Sequence, residues 1–268
     1  MATGDEDTWG ETESALSAYL RQHPDVERAL LDSPLDSLNG ADSYLRGAVL
    51  EARGADPTGA YARADEECYP PDFRAARDET LACVVELVRN GAGPILDVAT
   101  GRGTLLGRLA AETTRALTAT DVSPHVLRAT ERRVPGARYV VAEAHSLPFA
   151  DGDMATVVTH LGLGNVPRGR ELLRELRRVG RELVATHLFY PEDDEENRGA
   201  ARELALDELL ARGPTLAAFD DAGWDVALEY EREVVASPTP ESALIPGVRI
   251  DGLPVRETRA TWCVLRAT

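Results

Sequence analysis

The sequence predicts an α/β protein built on a doubly wound, mostly parallel sheet, and three observations carry that prediction. Short apolar runs alternate with amphipathic stretches between residues 95 and 189. A glycine-rich turn follows the first of those runs. Two longer strand-like segments then come after residue 225, with no helical pattern between them. Strand–helix alternation implies parallel neighbours, because each crossover lays its helix on a face of the sheet.

The elements follow in order. Residues 1 to about 75 read as a helical extension broken by Pro24, Pro34 and Pro57, with helices expected at Glu11–Gln22 and Ala41–Arg53. Asp72 is placed to cap a helix whose Leu81, Val84, Val85 and Val88 share one face. Residues 76–268 then form the main domain. Its strands are expected at Ile95–Val98, Ala116–Thr120, Arg138–Ala142, Ala155–His160 and Leu183–Phe189. Helices are expected after the glycine turn, at Pro124–Arg133 and at Glu171–Val179. Val226–Val235 and Arg259–Arg266 complete a seven-stranded sheet as an antiparallel pair, joined by the proline-rich loop 236–258. The acidic run Pro191–Asn197 reads as a solvated loop.

Composition narrows the function. The 268 residues are 43% hydrophobic, ample for a core, and no stretch reaches the roughly 18 apolar residues of a membrane span. The start of the chain is acidic, unlike a secretory signal, and a cytoplasmic location is expected. Cys68, Cys83 and Cys263 show neither disulfide nor zinc-site spacing, and no metal is expected. A net charge of -17 without a basic tract disfavours nucleic acid and anionic membranes as partners. A homodimer is compatible with the sequence. The chain has no lysine, so all 29 Lys+Arg positions are arginine. Function in concentrated salt and GC-rich codon usage account for this equally well.

The chemistry concentrates in Ile95-Leu96-Asp97-Val98-Ala99-Thr100-Gly101-Arg102-Gly103. A buried strand delivers Asp97 to its carboxyl end. Gly101 and Gly103 then let backbone approach a ligand, and the next helix aims its free N–H groups at it. Two ligand classes use such a turn. A dinucleotide fingerprint needs a third glycine where Leu106 stands, and its pyrophosphate is repelled by Asp97. A cationic amino acid is attracted by Asp97, and S-adenosylmethionine supplies an ammonium and a sulfonium. Asp121 lies at the end of the second strand, where a carboxylate accepts ribose hydroxyls or serves as a helix cap.

With Val140–Phe149 added, residues 75 to 235 resemble the class I methyltransferases, a Rossmann-like fold. Within that class the likeness is to the ubiquinone/menaquinone-biosynthesis group and its small-molecule relatives. Four segments carry it in order: LDVATGRG, ATDVSPHVL, AEAHSLPFADGDM and GLGNVP. The resemblance implies S-adenosylmethionine as cofactor. Asp97, Ala99, Gly101 and Gly103 would surround its methionyl part and Asp121 with Val122 its ribose side. Glu143 and Ala144 would meet the adenine, and His160 the methionyl end. The chain departs from the family in Glu143 for the common Asp, in Met154-Ala155 for Phe-Asp, and in lacking a Pro-Gly-Gly turn before the fifth strand.

Methyl transfer is expected to a small acceptor, uncharged or cationic, at O, N or C. A hydroxyl acceptor needs a base, and His187 and His160 lie at strand ends where ligands of open α/β sheets bind. His187 is favoured as catalytic, against a structural histidine bonded to a loop. His145 reads as an exposed loop residue, and Tyr61 and Tyr69 as anchors or entrance residues of the helical extension. The alternatives are a non-catalytic cofactor-binding partner or sensor and an NAD-dependent oxidoreductase.

Overall fold

The computed structural model describes residues 22–38, 40–63, 71–203, 205–238 and 254–268. All but the last residue of the expected helix Glu11–Gln22, Cys68, Tyr69 and most of loop 236–258 lie outside the described residues.

The sheet has seven strands: β1 (Ile95–Val98), β2 (Leu117–Asp121), β3 (Arg138–Val141), β4 (Thr156–His160), β5 (Leu183–Phe189), β6 (Val226–Ala236) and β7 (Thr258–Ala267). Their order is β3-β2-β1-β4-β5-β7-β6. The first five are parallel, and β7 runs antiparallel between β5 and β6. The mostly parallel Rossmann-like sheet expected from the sequence is the one found. From β1 the chain winds outward to β3 and then returns to β4. That reversal opens a crevice at the carboxyl ends of β1 and β4.

Both faces of the sheet are covered. Helix α4 (Pro71–Val88) lays Leu81, Val84, Val85 and Val88 on Ile95, Val158, Val184 and Val264, beside Leu105 and Leu109 of α5 (Thr104–Glu112). On the other face Leu172, Leu173, Leu176 and Val179 of α8 (Gly169–Val179) meet Leu96, Val157, Leu183 and Leu265. Neighbouring residues of one strand thus serve opposite faces, as the pleat requires. Helix α6 (Pro124–Arg133) shows why its segment is helical. Ser123 caps it by accepting the Val126 N–H at 3.1 Å, Pro124 occupies its first turn, and Arg132 and Arg133 sit in its last.

Before the sheet come α1 (Pro24–Asp32), α2 (Gly40–Ala52) and α3 (Thr58–Arg63). Pro24 starts a helix rather than ending one, since the first helical position has no use for an N–H. The expected domain boundary at residue 75 falls inside α4, whose Phe73 and Ala76 pack against Trp262 of β7. A short helix α7 (Gly162–Asn165) follows β4. Two further helices, α9 (Glu195–Glu203) and α10 (Arg212–Asp221), stand where no helix was expected. The acidic run is corrected with them. Asp194 and Asn197 are buried, joined by a 2.7 Å bond, and Arg256 reaches Asp194 at 3.2 Å.

One arginine fastens the floor of the sheet. The guanidinium of Arg115 donates to the carbonyls of Val88 (2.7 Å), Gly93 (2.8 Å) and Ala92 (3.1 Å) and to the Thr156 hydroxyl (2.9 Å). An ammonium cannot reproduce that planar fork. Arg115→Lys is therefore expected to cost roughly 1–2 kcal/mol of stability, from partners left unbonded. A urea midpoint identical to that of the parent protein would show the fork to be dispensable.

Candidate active site

The turn after β1 is stitched across to β2. Thr100 N–H donates to the Thr120 carbonyl at 2.9 Å, and Gly101 N–H donates to Asp121 Oδ2 at 2.9 Å. The Thr130 hydroxyl donates to the Gly101 carbonyl at 2.8 Å. Ala99, Gly101 and Gly103 all adopt positive φ, of 53°, 51° and 73°. A Cβ on Gly103 would lie 2.5 Å from Thr130 Cγ2, so glycine is required there on two grounds. At Gly101 a Cβ would meet nothing nearer than 4.0 Å, leaving an open approach to the backbone.

Asp97 stands beneath this turn and is 1% exposed. Its Oδ2 accepts the Thr100 hydroxyl at 2.6 Å, and its Oδ1 has no partner. Burial pushes its pKa up to about 7, against the Thr100 bond and with help from the Asp121 charge. A buried carboxylate oxygen without a partner is costly, and a cationic ligand group answers it. Asp121 is also pushed up by burial, although it accepts the N–H groups of Ser123 (3.0 Å) and Gly101. Ser123, not Asp121, is the helix cap. Beside Asp121, Val122 is an exposed apolar side chain, 43% accessible, suited to be covered by a flat ring.

Glu143 follows β3 and pairs with Arg168 at 3.0 Å. Ala144, next in the chain, is half-buried. His145 is not the exposed loop residue expected. Its side chain is 9% exposed, its Nε2 donates to the Pro167 carbonyl at 2.8 Å, and its Nδ1 faces Arg168 at 3.3 Å. The structure thus gathers Asp97, Ala99, Gly101, Gly103, Asp121 and Val122 at the carboxyl ends of β1 and β2, with Glu143 and Ala144 after the end of neighbouring β3.

The two histidines at the strand ends are placed differently. His160 is half-buried, with Nδ1 2.6 Å from Thr186 Oγ1 and its ring stacked 6.1 Å from Trp262. Burial, then Arg77 and Arg108, hold its pKa down to about 3. His187 is 1% exposed, on the opposite face of the sheet. Its Nε2 donates to the Leu209 carbonyl at 2.6 Å, and burial lowers its pKa to about 4. The placement is that of the structural histidine weighed against catalysis in the sequence: the ring is enclosed and burial disfavours its protonated form.

Sequence reasoning missed what the helical extension brings. Glu51 of α2 accepts the Ser123 hydroxyl at 2.7 Å and the Tyr61 hydroxyl at 2.7 Å. Tyr44 lies 5.4 Å from Tyr61 between ring centres, close enough to Asp121 for its charge to oppose ionisation of the phenol. The extension therefore reaches the neighbourhood of Asp121. Ser123-Pro124 was a visible capping signal; nothing local marks Glu51. Among the described residues, no group of three or more His, Cys, Asp or Glu could hold a metal.

Residues 95–182 match the model of the methyltransferase domain family. The matched segment takes in β1 to β4 with Asp97 and Asp121, and with the sheet order it makes this part of the chain similar to the class I methyltransferases. Within that class, the chain is 34% identical over 98 residues to a demethylmenaquinone methyltransferase of Thermotoga maritima, covering 36% of this chain and 43% of that protein. It is also 34% identical over 100 residues to the demethylmenaquinone methyltransferase of Renibacterium salmoninarum, covering 36% and 42%. The match thus spans less than half the length of these curated relatives. Among solved structures, YcgJ of Bacillus subtilis aligns with TM-score 0.58 at 14% identity, covering 71% of this chain and 97% of that one. The [4+2]-cyclase SpnF aligns with TM-score 0.52 at 18% identity, covering 72% and 80%. Likeness at such identities shows the fold alone.

The buried charge of Asp97 gives a test without ligand. Its folded pKa of about 7 lies above the ordinary 3.8, so its ionisation opposes folding. The penalty sets in as pH rises through about 4 and is complete above about 7. Asp97→Asn is expected to be more stable than the parent at pH 8, by an amount on the order of 1–4 kcal/mol, with the gap closing toward pH 4. Melting curves across that range check it; a gap that does not change with pH would contradict it.

Proposed function

We propose that the chain transfers a methyl group from S-adenosylmethionine to a small-molecule acceptor in the cytoplasm. The observation that carries this reading is the unpartnered, fully buried Oδ1 of Asp97 under an open glycine turn. The names of the demethylmenaquinone methyltransferase relatives support a small organic acceptor. Among the described residues no helix is long and apolar enough to cross a membrane.

When bound, S-adenosylmethionine would supply an electrophilic methyl on its sulfonium, with the thioether as the leaving group. The chain's own residues hold and orient. Asp97 takes the ammonium with its spare oxygen, directly or through water, and Ala99, Gly101 and Gly103 line the methionyl part. Asp121 accepts the ribose hydroxyls, and Val122 covers one face of the adenine. Glu143 and the backbone of Ala144 meet its edge. The main chain at His160 borders the methionyl end. Catalysis then rests on placing donor and acceptor in line, a contribution that positioning alone makes large. In this reading His187 ties β5 to the segment before α10 and takes no proton.

Calorimetry with S-adenosylhomocysteine and with NAD separates the donors. Binding of the former is expected, weakened at least about tenfold in Asp121→Ala, since charge-assisted bonds to the ribose are lost. Tight NAD binding without S-adenosylhomocysteine would defeat the proposal. Binding without turnover on any acceptor would favour the partner or sensor reading. His187→Ala is expected to lose roughly 2–4 kcal/mol of stability through its cavity and the abandoned Leu209 carbonyl, with S-adenosylhomocysteine affinity kept. A variant that keeps its urea midpoint and loses turnover would return His187 to catalysis.

A further inference from the structure

The end of β4 carries a polar group that the methyl-donor site leaves unused. Thr186 is fully buried, and its Oγ1 accepts the Leu161 N–H at 3.2 Å while lying 2.6 Å from His160 Nδ1. Among the described residues, Nδ1 is the acceptor within reach of the Thr186 hydroxyl proton. With that hydroxyl donating, Nδ1 keeps its lone pair and the ring hydrogen of a neutral imidazole sits on Nε2. That Nε2–H has no partner among the described residues, on a side chain that is only half-buried. In this tautomer His160 is a donor and cannot act as a base through Nε2. The catalytic role expected of it changes accordingly.

Its surroundings indicate what it donates to. Both partners of the ring, Thr186 on β5 and Trp262 on β7, lie on the side away from β1 and its glycine turn. The imidazole therefore leans toward β5 and β7 rather than toward the glycine turn. Arg77 and Arg108 are close enough to bear on its charge, and both contact Asp78, at 3.3 and 2.6 Å, which offsets part of their field. Half-buried Leu161 and Leu188 pack against the aromatic cluster alongside.

We infer that His160 Nε2–H, backed by Arg77 and Arg108, receives the carboxylate of an amphipathic small-molecule acceptor, with Thr186 as the residue that positions the donor. The word acceptor rests on the methyl-transfer reading above. An acid replaces the uncharged or cationic acceptor expected from the sequence. The same chemistry occurs in the methionyl carboxylate of the cofactor, so the test must separate the two sources.

The probes are 4-hydroxybenzoate and 4-hydroxybenzamide, titrated into the full chain with and without S-adenosylhomocysteine. The acid is expected to bind at least about tenfold tighter than the amide, because an ionised acceptor strengthens the bond and adds attraction to the guanidinium groups. His160→Phe should abolish that preference, His160→Gln should retain much of it through its amide N–H, and Thr186→Val should reduce it. Affinity for S-adenosylhomocysteine should stay within about threefold in all three, a split that a merely structural loss would not give. Equal binding of acid and amide by the parent protein overturns the inference, as does a preference that survives in His160→Phe. So does a loss of S-adenosylhomocysteine affinity in His160→Phe with 5′-methylthioadenosine binding intact, which would assign the carboxylate to the cofactor. Absence of S-adenosylhomocysteine binding in the parent would defeat the methyl-transfer reading, and the acid–amide comparison would still decide this one.

Discussion

Gly101 donates its N–H to the carboxylate of Asp121 across 2.9 Å, and the ligand-facing edge of the sheet is organised around that bond. It joins the turn after β1 to the end of β2, two segments that parallel pairing alone would leave as independent loops. The other oxygen of Asp121 holds Ser123, and the Ser123 hydroxyl reaches Glu51, 72 positions earlier in the chain. These contacts connect the turn after β1, the end of β2 and α2 of the helical extension in one run of hydrogen bonds. Local backbone geometry and the placement of a distant helix therefore share one origin.

The same edge collects negative charge where burial makes charge expensive. Asp97 has one oxygen engaged and one idle, and Asp121 feels both burial and the nearby Glu51. A core chosen for stability alone would place apolar groups there. Buried carboxylates there carry a cost that a neighbouring cationic group would offset. Stability and affinity are thus set against each other at the same atoms, as is usual for sites prepared in advance of their ligand.

Much of the fold was legible because β1 to β5 are short, apolar and separated by helices with clear stripes, such as Leu172, Leu173, Leu176 and Val179. Helix α10 was not, since its buried positions Thr215, Ala218 and Phe219 have helical spacing but only Phe219 is large and apolar. Helix α9 hides in a segment of Glu, Asn and Arg whose anchors are Asn197 and Ala201. The glycine turn and Asp121 were legible because their spacing is local to two strands. Glu51 was not, because nothing near it marks the partner it meets across the fold. The pairing of His160 with Thr186 depends on the β4–β5 register, which brings these two residues opposite each other and which no single segment displays. The hydrogen-bond partner of His187, the Leu209 carbonyl, is likewise contributed by a stretch without recognisable pattern.

Strand β7 lies between β5 and β6, although both precede it in the chain. As the polypeptide leaves the ribosome, β6 therefore has no place on the sheet until β7 has followed. During that interval the hydrogen-bonding edge of β5 is unpaired, and the apolar residues that will face Trp262, Val264 and Leu265 stay uncovered. The last strand added acts as a keystone, closing a gap between neighbours already made. Loss of that strand by early termination would leave a chain with its crevice residues present and its sheet open, a species that chaperones and proteases recognise.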